Sequence, residues 1–190
     1  MSILWCQLSV KKITYLSNSM QPKINNIILI GPMGSGKTTI GRRLSRSLNL
    51  VFFDADLEII DKTGVSIDHI FDVEGEKGFR VRESDALKKL CNMPNIVLAT
   101  GGGAVILKEN RELMKKSRSV VYLSSSVDQI LRRTAKAKTR PLLEKSNNRR
   151  KTITDILEAR GPLYEEVASL TISTNGKKLN EIIDEIIEAL

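Results

Sequence analysis

The stretch Gly31-Pro32-Met33-Gly34-Ser35-Gly36-Lys37-Thr38 constrains this chain more than any other. It fits the pattern G-x-x-x-x-G-K-[ST], and its surroundings fit as well. The apolar run Ile27–Ile30 precedes it, and Ile40, Leu44 and Leu48, spaced four apart, follow it. A buried strand, a glycine-rich turn and an amphipathic helix are the context this pattern requires. Glycines let successive backbone N–H groups point into one concavity that suits phosphate oxygens, and a helix N-terminus adds partial positive charge. Gly34, Ser35, Gly36, Lys37, Thr38 and Thr39 are therefore expected to surround a nucleoside triphosphate. Lys37 would reach the β- and γ-phosphates and the Thr38 hydroxyl would ligate Mg²⁺. The pattern points to a phosphoryl donor and leaves the acceptor open.

Beyond the loop the periodicity alternates. Val51–Phe53, Ile96–Thr100, Val120–Leu123 and Leu170–Ser173 read as further strands. Helices are expected over much of Ile67–Leu90, interrupted at Gly75 and Gly78, and over residues 105–116. Another opens with a capping box at Ser126-x-x-Gln129. Thr154–Arg160 reads as a helix stopped by Gly161-Pro162. The last carries an apolar stripe of Leu179, Ile182, Ile183, Ile186, Ile187 and Leu190. Strands alternating with helices imply an α/β protein with right-handed crossovers and a mainly parallel sheet. Ligands of such sheets sit beyond the carboxyl ends of the strands. Three unusual segments fall there: the loop after strand one, two acids after strand two and three glycines after strand three.

Composition narrows the classes. A chain of 190 residues makes one domain, two at most. No apolar run approaches the roughly 20 residues that span a bilayer. Two cysteines, Cys6 and Cys91, build no disulfide framework, and they fit a reducing, cytoplasmic setting. A single histidine, His69, excludes multi-histidine metal sites and most Ser/His or Cys/His schemes; it is given no role. The net charge is +8, and residues 132–151 hold nine basic side chains against one acid, so the rest of the chain is neutral. That stretch reads equally as a flap over a polyanionic ligand, a nucleic-acid contact or a solvated loop. Residues 1–23 are expected to form a poorly ordered extension without a catalytic role, in which Met20 offers an alternative start, and residues 24–190 a single domain.

The acceptor must be read from the remaining polar residues. Asp54 and Asp56, two apart on an extended segment, would point the same way. One can position a magnesium ion, and the other can orient or deprotonate an acceptor hydroxyl. An Asx-type turn with solvated acids is the plainer reading. No aspartate ends strand three, which moves the metal-side role to Asp54. Arg80 and Glu83, three apart, share a helical face, so Glu83 can hold Arg80 for bidentate capture of a carboxylate or phosphate; an ordinary surface pair has the same spacing. Arg160 is open to the same two readings. Gly101, Gly102 and Gly103 allow close backbone approach to a ligand, or form a plain turn. Arg133 and Arg140 lie in the basic stretch, where a closing arginine could stabilise the transferring phosphoryl group.

Taken in order, these segments resemble the shikimate kinase family: GPMGSGKTTIGR at 31–42, FFDADLEI at 52–59, GEKGFRVRE at 75–83, ATGGGAV at 99–105, TRPLL at 139–143 and ARGPLYEEVA at 159–168. The resemblance covers about residues 24–190. It implies transfer of the ATP γ-phosphate to the 3-hydroxyl of shikimate, a step toward chorismate and the aromatic amino acids. It also implies a three-layer α/β/α P-loop kinase with a central five-stranded parallel sheet and a mobile lid over about 133–150. By the same resemblance Asp56 binds and activates the acceptor hydroxyl, and Arg80 and Arg160 clamp the carboxylate. Gly101, Gly102 and Gly103 contact the acceptor, Asp54 lies near Mg²⁺, Arg140 covers the phosphates and Arg133 packs on adenine. The partners implied are ATP and shikimate alone, with no nucleic acid or membrane, acting on a cytoplasmic monomer. The lid segment is more basic than the family pattern, and STNGKKLN at 173–180 lacks the proline of the family's adenine loop. The rival readings are a kinase of the same fold acting on gluconate or a nucleoside monophosphate, and a nucleic-acid-binding ATPase using residues 132–151.

Overall fold

The computed structural model describes residues 26–135 and 148–190. Five strands form one sheet: β1 (Ile27–Ile30), β2 (Val51–Asp54), β3 (Ile96–Ala99), β4 (Ser119–Ser124) and β5 (Leu170–Ser173). Their spatial order is β2-β3-β1-β4-β5, and every pairing is parallel. Seven helices connect and flank them among the described residues: α1 (Lys37–Leu48), α2 (Ala55–Thr63), α3 (Ile67–Cys91), α4 (Lys108–Met114), α5 (Val127–Thr134), α6 (Arg149–Val167) and α7 (Leu179–Ala189).

The sheet is apolar on both faces because helices cover both. β1 shows how alternation sorts its side chains. Ile28 and Ile30 enter a cluster with Leu87, Leu98, Tyr122 and Tyr164 under α3 and α6. Ile27 and Leu29 enter another with Leu44, Val121, Ile182 and Ile186 under α1 and α7. Each fully buried Ile or Leu contributes about 1.5–3 kcal/mol of transfer free energy. β2 is a sheet edge, and its Val51 is exposed. No helix among the described residues is long and apolar enough to cross a membrane.

Several expectations need correction. The helix expected over 105–116 is shorter, Lys108–Met114. Of the two glycines expected to interrupt α3, only Gly75 does so (φ 69°, ψ −175°); Gly78 is helical. Only half of the capping box forms at α5. Ser126 accepts from the Gln129 backbone N–H, but the Gln129 amide donates to the Thr174 carbonyl, and the Ser126 N–H donates to Asn175. In the last helix Leu179 and Ile187 stay exposed at the margins of the stripe.

The larger correction concerns Gly161-Pro162, which does not stop α6. The helix starts at Arg149, five residues before the expected Thr154, and runs through the pair to Val167. Proline removes one helical N–H, freeing the carbonyl of Glu158. Glu158 and Pro162 both lie on the exposed side, where water can satisfy that carbonyl. Beyond them Tyr164 and Val167 are buried in the core, and this packing carries the helix past the proline.

Candidate active site

β1 ends at the glycine loop. Gly31, Gly34 and Gly36 have φ values of 138°, 75° and 98°, a left-handed sequence that other residues rarely adopt. Gly36 is the N-cap of α1 and offers no side chain, so the first N–H groups of that helix face the loop, and no acid lies in its first turn. The Lys37 ammonium is buried within the loop and donates to the carbonyls of Gly31 (2.8 Å) and Pro32 (2.9 Å). Aligned N–H groups beside a fixed cation make a cradle for phosphate oxygens.

Asp54 ends β2 and caps α2: its Oδ1 accepts from the Asp56 N–H at 3.1 Å. Its Oδ2 accepts from the Thr38 hydroxyl at 2.7 Å. The two acids therefore do not share an extended segment as expected. Asp54 closes the strand, and Asp56 sits in the first turn of α2, yet both line the same cavity. Asp54 thus makes the turn bond of the plainer reading while it lines this cavity. Among the described residues no three His, Cys, Asp or Glu side chains gather as metal ligands. Thr38 and Asp54 supply hard oxygens at the mouth of the phosphate cradle, which suits Mg²⁺, an ion that usually takes one or two protein oxygens beside phosphates and water.

On the other side, Arg80 in α3 is bound to Glu83 at 2.7 Å and to Glu76 at 2.8 Å. It is therefore no loose surface pair: Arg80 is buried and Glu83 is completely so. Burial opposes charge on Arg80, but Glu83 and Glu76 outweigh it and raise the guanidinium pKa. Burial likewise lifts the Glu83 carboxyl above its ordinary range, partly offset by Arg80.

The three glycines after β3 explain how these groups come together. A Cβ on Gly101 would lie 2.6 Å from Glu83 Oε1 and 3.0 Å from Asp56 Oδ1, and one on Gly103 would lie 2.3 Å from Arg80 Nη2. Side chains of the site press against this backbone, a use the sequence reading did not foresee. Arg160 of α6 donates to the Gly102 carbonyl at 3.1 Å.

A cavity of about 490 Å³ lies over the phosphate loop and reaches Asp56 and Gly102; Arg80, Arg160, Gly101 and Gly103 do not line it. Lys37, Thr38, Thr39, Asp54, Asp56 and Gly102 line it, and Arg133, Lys177, Leu179 and Ile182 close its far end. The last three come from the segment lacking the expected proline and its following helix; sequence reasoning placed Leu179 and Ile182 in the apolar stripe and gave none of the three a site role. Arg133 Nη1 donates to the carbonyls of Gly34 and Ser35, both at 3.1 Å, and to the Thr174 hydroxyl at 3.2 Å, tying α5 to the phosphate loop. Arg140 and most of the expected lid lie outside the described residues. The described arginines of the basic stretch are engaged within the chain: Arg132 with Gln129, Arg149 with the Thr134 carbonyl and Arg150 with Asp128.

With this geometry in view, comparison with known proteins is specific. The family model described as shikimate kinase matches residues 33–190. A shikimate kinase of Thioalkalivibrio sulfidiphilus is 51% identical over 162 residues, 85% of this chain and 85% of that one. One from Haemophilus influenzae is 44% identical over 165 residues, 87% of this chain and 92% of that one. The solved structure of shikimate kinase from Acinetobacter baumannii in complex with shikimate superposes with a TM-score of 0.84 at 46% identity, covering 87% of this chain and 92% of that chain.

Proposed function

This chain belongs to the shikimate kinase family, and from that premise we propose how its residues phosphorylate shikimate with ATP. The triphosphate lies in the loop of residues 31–39, held by backbone N–H groups and by Lys37. Thr38 and Asp54 would hold Mg²⁺, which when bound neutralises charge on the phosphates. Arg133 borders the nucleotide end, and Arg140 is assigned to the phosphates from its place in TRPLL alone.

Arg80 and Arg160 bind the carboxylate of shikimate. Glu76 and Glu83 keep Arg80 in one orientation, which suits bidentate capture. Asp56 accepts the hydrogen bond of the 3-hydroxyl, orients it and takes its proton. The bond from that oxygen to the γ-phosphorus forms as the bond to the β–γ bridging oxygen breaks, and ADP leaves. Positioning and charge supply most of the rate, since the protein forms no covalent bond. We propose that the enzyme acts as a monomer, and we assign the reaction to the cytoplasm.

The observation that carries this reading is the position of Asp56. It lines the cavity that holds Lys37 and Thr38, while its Oδ1 abuts Gly101 beside the Arg80–Glu83 pair. Coupled ADP release measured with shikimate, gluconate and nucleoside monophosphates tests it. Turnover with shikimate alone is expected, and turnover only with gluconate or a monophosphate would overturn the reading.

A further inference from the structure

The carbonyl of Gly102 receives two side-chain donors, Arg160 Nη1 at 3.1 Å and the Tyr164 hydroxyl at 2.5 Å. The two donors are four residues apart in α6, one turn of the same helical face. Tyr164 is completely buried, and its ring stacks on Tyr122 of β4 with centroids 5.0 Å apart and planes at 23°. A ring that only filled this space would do so better as phenylalanine, because a buried hydroxyl is costly unless it is bonded. Here it donates to the Gly102 carbonyl, in the middle of the acceptor side, with Arg160 beside it. Its neighbours Gly101 and Gly103 lie against Asp56, Glu83 and Arg80, so a shift of this backbone would disturb all three.

We propose that Tyr164 is a positioning residue for the acceptor. Its hydroxyl keeps the Gly102 carbonyl, and with it residues 101–103, in place when Arg160 turns toward the acceptor's carboxylate. With Arg160 as the only donor, binding the acid would withdraw the bond that shapes its own site. Tyr164 removes that conflict. The inference rests on the reading of the acceptor side given above and adds to it a residue which touches neither substrate.

The test is steady-state kinetics of Tyr164→Phe, which keeps the ring and its stacking. The KM for shikimate should rise about fivefold, the worth of one hydrogen bond in a buried setting. The kcat should stay within about twofold and the KM for ATP should not move. Tyr122→Phe, which removes the hydroxyl from the other ring of the stack, should leave all three constants at wild-type values. An unchanged KM for shikimate in Tyr164→Phe, an equal rise for ATP, or an equal rise in Tyr122→Phe would each overturn the proposal. The wild-type protein gives a second readout should the variant fail to fold. Its Tyr164 hydroxyl proton, buried and bonded to the Gly102 carbonyl, should shift in NMR spectra on adding shikimate and persist; loss of that signal on binding would also overturn it. A wild-type protein that releases no ADP with shikimate would instead refute the underlying assignment of the acceptor.

Discussion

A methyl group at residue 103 probes the acceptor side with little else disturbed. Built on this backbone, the Cβ of Gly103→Ala would lie 2.3 and 2.4 Å from the two terminal nitrogens of Arg80 and 2.6 Å from its Cζ. Comfortable contact begins near 3.5 Å, so the guanidinium must retreat by about 1 Å. Its ion pairs to Glu83 and Glu76 are 2.7 and 2.8 Å long. Lengthened by about 1 Å, neither remains a hydrogen bond. The flexible Arg80 side chain can move, but Glu83 has no exposure and cannot follow it into water. Glu76 is more than half exposed and can follow, so the uncompensated loss is the buried bond to Glu83, about 1.5–3 kcal/mol. Gly103 is not among the glycines with positive φ, so alanine brings no backbone strain to blur the result. We expect kcat/KM for shikimate to fall about tenfold to a hundredfold, mostly through KM, with the KM for ATP unchanged. ADP release at saturating ATP and varied shikimate measures it. Gly102→Ala, whose Cβ would meet the Met33 nitrogen at 3.3 Å, should be milder and serves as the comparison. A Gly103→Ala enzyme with the wild-type KM for shikimate would show that the acid does not bind at Arg80.

Three further expectations test other parts of the site. Asp56→Asn keeps volume and hydrogen bonding but loses the proton acceptor, so kcat should fall by about 10²–10⁴ while substrate binding persists; retention of most turnover would remove Asp56 from proton transfer. Thr38→Val loses the bond to Asp54 and one hard oxygen, so the Mg²⁺ concentration for half-maximal rate should rise. An unmoved Mg²⁺ titration would take Thr38 out of the metal's surroundings. Burial raises the Glu83 pKa, so the folded chain binds that proton more tightly than the unfolded chain does. Its contribution to stability is therefore present at low pH and lost as pH rises through the window above the ordinary carboxylate value. Denaturant unfolding across this range should show a smaller fall of stability with pH in Glu83→Gln than in wild type, and identical slopes would reject the assignment.

Much of this could be read from the sequence because some signals are local. Gly31–Thr38 announces both its own shape and its ligand, since the residue types that shape the loop are those that bind phosphate. The Arg80–Glu83 pair was visible through helical spacing, although its burial was not. Asp54 and Asp56 were rightly brought to one cavity for a partly wrong reason, because the strand ends between them and α2 begins. What stayed hidden depends on packing. Pro162 reads as a helix stop, and only the burial of Tyr164 and Val167 overrides it. Had the helix been carried through, the spacing from Arg160 to Tyr164 would have exposed the second donor to Gly102. Lys177, Leu179 and Ile182 carry no motif; they border the cavity because β5 lies beside β4 at the sheet margin.

The adjacency of β1 and β3, sealed where Thr100 donates from both its N–H and its hydroxyl to the Leu29 carbonyl, has a consequence for how such enzymes diversify. Residues proposed to handle the acceptor come from one continuous run, 56–103, plus Arg160 of α6, whereas the triphosphate and its metal are served by the loop after β1, by Asp54 and by Arg133. The sheet joins these as two tools on one handle. Mutation can refashion the first without blunting the second, so a descendant could keep ATP and acquire another hydroxy acid by rewriting a quarter or so of its length.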